Sequence, residues 1–232
     1  MHKLRQVHPR FPEEDPIQEA SRIMRAGGLV IFPTSALYGM GVDAFNEKAL
    51  EKVFQVKGRG KNNPLLILVE RVEALDELVE EIPPVAFILM QAFWPGNLTL
   101  IFKAKNHLPE LLTAGTGKIG IRLPRHPVAR ALVQKAGGPI TGTSANLSES
   151  PAAFSIEMLS EKIFKKADLI LDSGSLSGGI GSTVFDITSS PPRLIREGNL
   201  SSAEIFKVLH QDFPTKTFLN FFDEKRLYQR KD

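Results

Sequence analysis

Three short polar segments carry residue types suited to holding an anion. In KGRGKNNP, Lys57, Arg59 and Lys61 fall close together, separated by Gly58 and Gly60, whose small size lets backbone N–H groups approach a ligand. Arginine offers a planar fork to phosphate oxygens and lysine a mobile point charge, so the two together can follow charge that shifts during phosphoryl or nucleotidyl chemistry. In GTSANLS, Ser144 and Asn146 follow a short apolar segment, where they can donate to phosphate or ribose oxygens. In LIREG, Arg196 stands among apolar residues beside a glycine, and Arg122 does the same in IGIRLP. An arginine ending a strand at a cleft can hold a carboxylate or phosphate at two points. The turn GGIGSTVFD adds Ser182 and Thr183 as further oxyanion donors. Each segment also has a plainer reading: solvated surface charge for the cations, and a turn bonded to its own backbone for Ser144 and Asn146.

Other chemistries fit less well. The chain has no cysteine, which excludes disulfides, thiolate metal sites and a cysteine nucleophile. None of the five histidines stands in a triad context, and G-x-S-x-N is not the G-x-S-x-G elbow of a serine nucleophile. Gly117-Lys118 fails as a phosphate loop because Leu112 occupies the first glycine position and Ile119 follows the lysine. Gly39-Met40-Gly41 with Ala44 satisfies G-x-G-x-x-A, but beyond Pro33 rather than at a strand-to-helix turn. No His/Asp/Glu cluster has metal-site spacing, so no protein-bound metal is expected. With 29 basic against 26 acidic residues, bulk charge does not mark a polyanion binder. No apolar run suits a signal peptide or reaches the ~18 residues that span a bilayer. A soluble, cytoplasmic protein without a membrane partner is expected.

The elements that must position these loops alternate between helical and strand patterns. Asp15, Pro16 and Gln18 open a helix that Gly27 closes, with Ile17, Ala20, Ile23 and Met24 on its inner face. Asn46 caps a second, in which Leu50, Val53 and Phe54 recur at helical spacing until Gly58. Strands are expected at 29–32, 65–69, 98–102, 119–123, 169–171 and 184–187, and further helices near 85–93, 128–136, 156–166 and 202–210. This is a mixed α/β domain over residues 13–212, without internal repeats. It is flanked by an N-terminal extension, 1–12, and a basic, aromatic C-terminal tail, 213–232. Phe218, Phe221 and Phe222 of that tail could stack on RNA bases beside its cations, although such phenylalanines more often pack back on their own domain.

From Gly28 to Gly198 the ordered motifs K-x-R, S-x-N and R-x-G, with the turn FPTSALYGMGVDAF ahead of them, resemble the YrdC/YciO family, best known for its threonylcarbamoyl-AMP synthases. The resemblance implies a twisted mixed sheet flanked by helices with a basic concave cleft. It implies that L-threonine, bicarbonate and ATP, with magnesium arriving on the nucleotide, give threonylcarbamoyl-AMP and pyrophosphate for tRNA modification. Position by position it assigns ATP to Lys57, Arg59, Asn63, Ser144, Asn146 and Arg196, with Ser182 as a further contact and Lys57 and Arg59 as the charge-neutralising catalytic pair. Thr34, Tyr38 and Arg122 would line the amino-acid and carbamate side. The implied partners are tRNA or double-stranded RNA and the transferase proteins that consume the product. The chain departs from the family pattern at Ser35 and Ala36, where Glu and Thr are usual, at Leu68, where many members have histidine, and at Gly142 and Ala152, which replace hydroxyl residues. Two alternatives remain: an RNA-binding protein of tRNA or ribosome maturation without synthase activity, and a YciO-type enzyme with a different carbamoyl acceptor.

Overall fold

A computed structural model describes residues 3–58 and 60–212. Arg59 and the tail beyond Asp212, with its aromatic residues, lie outside the described residues. In chain order the elements are β1 (Leu4–Gln6), α1 (Glu14–Arg25), β2 (Val30–Pro33), β3 (Tyr38–Gly41), α2 (Glu47–Lys57), β4 (Ile67–Leu68) and α3 (Leu75–Leu78). There follow α4 (Pro84–Phe93), β5 (Leu98–Lys103), α5 (Glu110–Thr113), β6 (Lys118–Arg122), α6 (Pro127–Ala136), β7 (Ile140–Thr141) and β8 (Thr143–Ser144). The last are α7 (Glu161–Lys166), β9 (Leu169–Asp172), β10 (Thr183–Asp186), β11 (Arg193–Arg196) and α8 (Ser202–Asp212).

The fold is mixed α/β, as the alternating patterns predict. Five strands run in the order β1-β9-β2-β3-β8 and six in the order β11-β10-β5-β6-β4-β7, each sheet containing parallel and antiparallel pairs. The two sheets meet where β7 passes into β8 through Gly142, and Asp43 bridges to Ile140 beside that crossing. Helices α1 and α6 cover one face of the smaller sheet, burying Ile17, Ala20 and Met24 with Val128, Leu132 and Val133 against Val30 and Phe32. Each such large aliphatic side chain contributes roughly 1.5–3 kcal/mol on burial. The glycines of the G-x-G sequence lie within β3. A β-carbon at Gly41 would come 2.8 Å from the Phe32 ring and 2.5 Å from Thr141 O. Close strand packing, and not a dinucleotide turn, therefore requires glycine there.

Several elements differ in detail from the sequence reading; the strand expected at 65–69, for example, is confined to Ile67–Leu68. Helix α1 begins at Glu14 with Glu13 in the cap position, so Asp15 lies inside the first turn, where the positive end of the helix dipole favours a carboxylate. The helix expected over 156–166 is a 3-10 turn, Ile156–Met158, followed by α7. Ser160 separates them because its hydroxyl accepts from Ile163 N at 3.3 Å, a capping bond that needs extended backbone at the serine. The sequence reading sets residues 1–12 apart as an extension; in the structure Leu4–Gln6 of that segment pair in parallel with β9. Among the described residues no helix is long and apolar enough to cross a membrane.

Candidate functional site

Helix α2 delivers the first cation. Asn46 caps it by accepting from Ala49 N, Leu50, Val53 and Phe54 bury its inner face, and Gly58 ends it in the left-handed region at φ 63°. Lys57, the last helical residue, is therefore held at the negative end of the dipole and is only 4% exposed. Its ammonium donates to Ser144 O at 2.6 Å, Asn146 O at 2.8 Å and Asn146 Oδ1 at 3.1 Å. Three acceptors offset the cost of burying the charge. Lys57 thus clamps the S-x-N turn, and two motifs nearly ninety residues apart become one structure. Within that turn the Ser144 hydroxyl bonds Asn146 Oδ1 and the Asn146 amide bonds Ser150 O, so the local bonding weighed from the sequence is present as well. Asn63 is exposed and its backbone N–H turns back to Gly60 O at 3.2 Å, apart from this cluster. Lys61 is exposed and pairs with Glu51 at 3.6 Å.

The larger sheet supplies two more cations on one face. Val184 pairs with both Arg196 and Thr99, while Leu68 pairs with both Arg122 and Ile140. Extending the β5–β6 register one step beyond Leu100–Ile121 sets Thr99 opposite Arg122. A single row across the sheet therefore reads Arg196, Val184, Thr99, Arg122, Leu68, with side chains on a common face. Arg122, 8% exposed, donates from Nε to Gly96 O at 2.8 Å and from Nη2 to Asn97 Oδ1 at 3.3 Å. Burial, and then the neighbouring Arg196 charge, lower its pKa to about 10, which leaves it protonated at neutral pH. Arg196 donates from Nη2 to Ser182 O at 2.8 Å, and its pKa is lowered by burial of that end although the residue as a whole is exposed. Among the described residues neither guanidinium has a carboxylate partner. Two like charges that feel each other on one face, with no counter-charge, make a site that an anion stabilises.

The turn before β3 joins this cluster through backbone pairing. Gly39 is in register with Ser144, and Ala145 N donates to Tyr38 O at 2.9 Å. Thr34 closes the turn by donating from its N–H at 3.0 Å and from its hydroxyl at 2.6 Å to Leu37 O. Tyr38 is fully buried. Its hydroxyl accepts from Ser173 N at 3.0 Å and lies 2.7 Å from Gly174 O and 3.1 Å from Asp172 Oδ1. Burial pushes the phenol up to about 12. Tyr38 therefore anchors the turn to the segment after β9, and Thr34 is the half-buried hydroxyl at its mouth. Two of the departures from the family pattern are in contact: a β-carbon at Gly142 would lie 2.7–3.0 Å from the Leu68 side chain. Leu68 fills the space that a side chain at 142 needs.

Sequence reasoning missed Thr99, Asn97 and Gly96, which surround Arg122, and the role of Gly198. The available signal for Thr99 was a hydroxyl residue within the apolar run Leu98–Phe102. Gly198 belongs to the R-x-G motif because a β-carbon there would come 2.2 Å from Gly181 O, 2.5 Å from Ser182 C and 2.6 Å from Thr183 N, all of them backbone atoms. Gly198→Ala is expected to displace Ser182 and Arg196 together and to destabilise the fold by about 1–3 kcal/mol, as overpacking against rigid neighbours does. Thermal unfolding checks this; a native Tm with native ligand binding would contradict it. Among the described residues no group of three or more His, Asp or Glu side chains is gathered closely enough to hold a metal ion.

Residues 22–198 match the Sua5_yciO_yrdC family model, described as "Telomere recombination". The chain is 39% identical to the threonylcarbamoyl-AMP synthase of Pyrococcus abyssi over 85% of its own length and 58% of the relative's. It superimposes on the crystal structure of P. abyssi Sua5 complexed with L-threonine with a TM-score of 0.85 and 38% identity, covering 89% of this chain and 60% of that one. It also superimposes on Escherichia coli YciO with a TM-score of 0.81 and 29% identity, covering 88% of this chain and 100% of that one. The chain spans about three fifths of the length of the Pyrococcus abyssi and Bacillus subtilis threonylcarbamoyl-AMP synthases it matches.

Proposed function

The chain belongs to the Sua5/YciO/YrdC family, and on that premise we propose that it is a threonylcarbamoyl-AMP synthase, forming L-threonylcarbamoyladenylate and pyrophosphate from L-threonine, bicarbonate and ATP. The observation that carries this reading is the pair Arg122 and Arg196, two guanidiniums on one sheet face without a carboxylate among the described residues. In the proposed reaction the threonine nitrogen, carboxylated by bicarbonate with loss of water, presents a carbamate oxygen to the α-phosphorus of ATP. The new P–O bond forms as the bond to the β-phosphate oxygen breaks, and pyrophosphate leaves. Arg122 grips the threonine carboxylate, while Arg196 and Ser182 take phosphate oxygens. The S-x-N turn, held by Lys57, borders the nucleotide together with Asn63 and Arg59, and Thr34 borders the amino acid beside the Tyr38 anchor. No side chain becomes covalently attached, so the protein's contribution is positioning and charge neutralisation. Magnesium enters on ATP as part of the substrate.

The unit 13–212, together with β1, would carry the reaction in the cytoplasm. Its product is a reactive mixed anhydride, suited to partner transferases that modify tRNA, and the cations of the Arg122–Arg196 face and of the tail could meet tRNA or another double-stranded RNA. Calorimetry tests nucleotide binding: ATP with magnesium should bind when threonine is present, and no heat at adequate protein concentration would contradict the reading. A YciO-type enzyme with a different acceptor is the second reading. It is favoured by the Leu68–Gly142 contact beside Arg122, where the chain departs from the family pattern at both positions. A panel of amino acids at fixed ATP and bicarbonate separates the two.

A further inference from the structure

We propose that Thr99 is a positioning residue of this site: its hydroxyl donates to Ser182 Oγ and so turns the Ser182 O–H toward an anion held between Arg122 and Arg196. The inference rests on the proposed reading for the identity of the substrate, but not for the presence of the anion compartment. Thr99 lies in the sheet row between the two arginines, its side chain on their face. It is 1% exposed, Ser182 is 3% exposed, and their hydroxyl oxygens are 2.8 Å apart.

Two hydroxyls joined by one hydrogen bond have one proton left over. Thr99 Oγ1 has no other hydrogen-bond partner among the described residues. If Ser182 were the donor, the Thr99 proton would be buried and unsatisfied, which costs about 1–3 kcal/mol. Ser182 is buried as well, and its spare proton is satisfied only where an anion accepts it; with the anion bound, Thr99 donates and the spare proton belongs to Ser182. That residue lies at the loop end of β10, where its own carbonyl already accepts from Arg196 Nη2. The spare O–H consequently sits beside the Arg196 guanidinium, as a second donor to phosphate oxygens on the face that Arg122 borders. Such a hydroxyl adds to anion binding only if its orientation is fixed in advance, and the Thr99 bond fixes it.

The test uses the full chain as Thr99→Val and Thr99→Ser, with inorganic pyrophosphate as the probe in calorimetry and Tm measured in parallel. Valine keeps the shape and removes the donor; serine keeps the donor. Thr99→Val is expected to weaken pyrophosphate binding by about tenfold to a hundredfold, the worth of a hydrogen bond to a charged group, while Thr99→Ser stays within about threefold of the native protein. Equal binding by all three proteins overturns the proposal. So does equal weakening in both variants at native Tm, which would make Thr99 a packing residue only. A native protein that binds no pyrophosphate also overturns it, by removing the compartment. If the native protein binds pyrophosphate and Thr99→Val weakens it, yet no turnover occurs with ATP, threonine and bicarbonate, the inference stands and the synthase reading fails.

Discussion

Arg122→Ala should lower kcat/KM for threonine by about a hundredfold to a thousandfold, the range seen when one preorganised charge-stabilising donor is removed. The residue's own geometry directs its effect toward the amino acid. Its Nε is committed to Gly96 O and one Nη2 proton to Asn97 Oδ1, so the plane of the guanidinium is fixed before substrate arrives. What remains is an oriented two-point donor, at a place where burial and Arg196 have already raised the cost of holding charge without an anion. Arg122→Lys separates charge from geometry. Lysine keeps a cation but loses the planar grip, and the same surroundings would depress an ammonium further. The expected result is a larger rise in KM for threonine than for ATP, read from initial rates with each substrate varied in turn. Parallel rises in both constants would move Arg122 to the nucleotide side.

Arg59→Ala is expected to cost about 2.7–4 kcal/mol of transition-state stabilisation, whereas Lys61→Ala should change turnover by no more than about threefold, as removal of an exposed ion pair does. The three cations of KGRGKNNP look equivalent on paper, but the structure distinguishes two of them. Lys57 is turned inward to the Ser144 and Asn146 carbonyls, and Lys61 is exposed beside Glu51. The K-x-R resemblance gives Arg59 the charge that meets the phosphates. Single-turnover rates of the two variants at saturating ATP decide the matter. Equal losses would mean a diffuse basic patch in place of a site.

Much of the scaffold was legible because it depends on local rules. Asn46 and Gly58 mark the ends of α2 by side-chain capping and a positive φ, and both are visible as residue types. The apolar runs that became β5, β6 and β9 needed only their hydrophobicity. By contrast β3 is hidden, because Gly39 and Gly41 read as a loop until Phe32 and Thr141 are seen pressing against them. The site residues were visible as types but not as roles. The sequence offers Lys57 as a phosphate cation; its bonds to Ser144 and Asn146 oxygens depend on the approach of β8 to the end of α2, a contact no local pattern contains. Thr99 was illegible for the same reason: only register across four strands places it between Arg122 and Arg196. The contact between Leu68 and Gly142 turns two separate departures into one, since a side chain at either position constrains the other.

Pyrophosphate release is the most direct measurement of what this chain does. Purified protein supplied with ATP, magnesium, L-threonine and bicarbonate should release pyrophosphate, and omission of any one of ATP, threonine or bicarbonate should return the rate to background. Serine in place of threonine should support a slower but measurable rate, because one methyl group in a pocket is worth only about 1–3 kcal/mol of discrimination. Release that is indifferent to threonine and bicarbonate, or faster with another amino acid than with threonine, would contradict the assignment of threonylcarbamoyl-AMP synthesis.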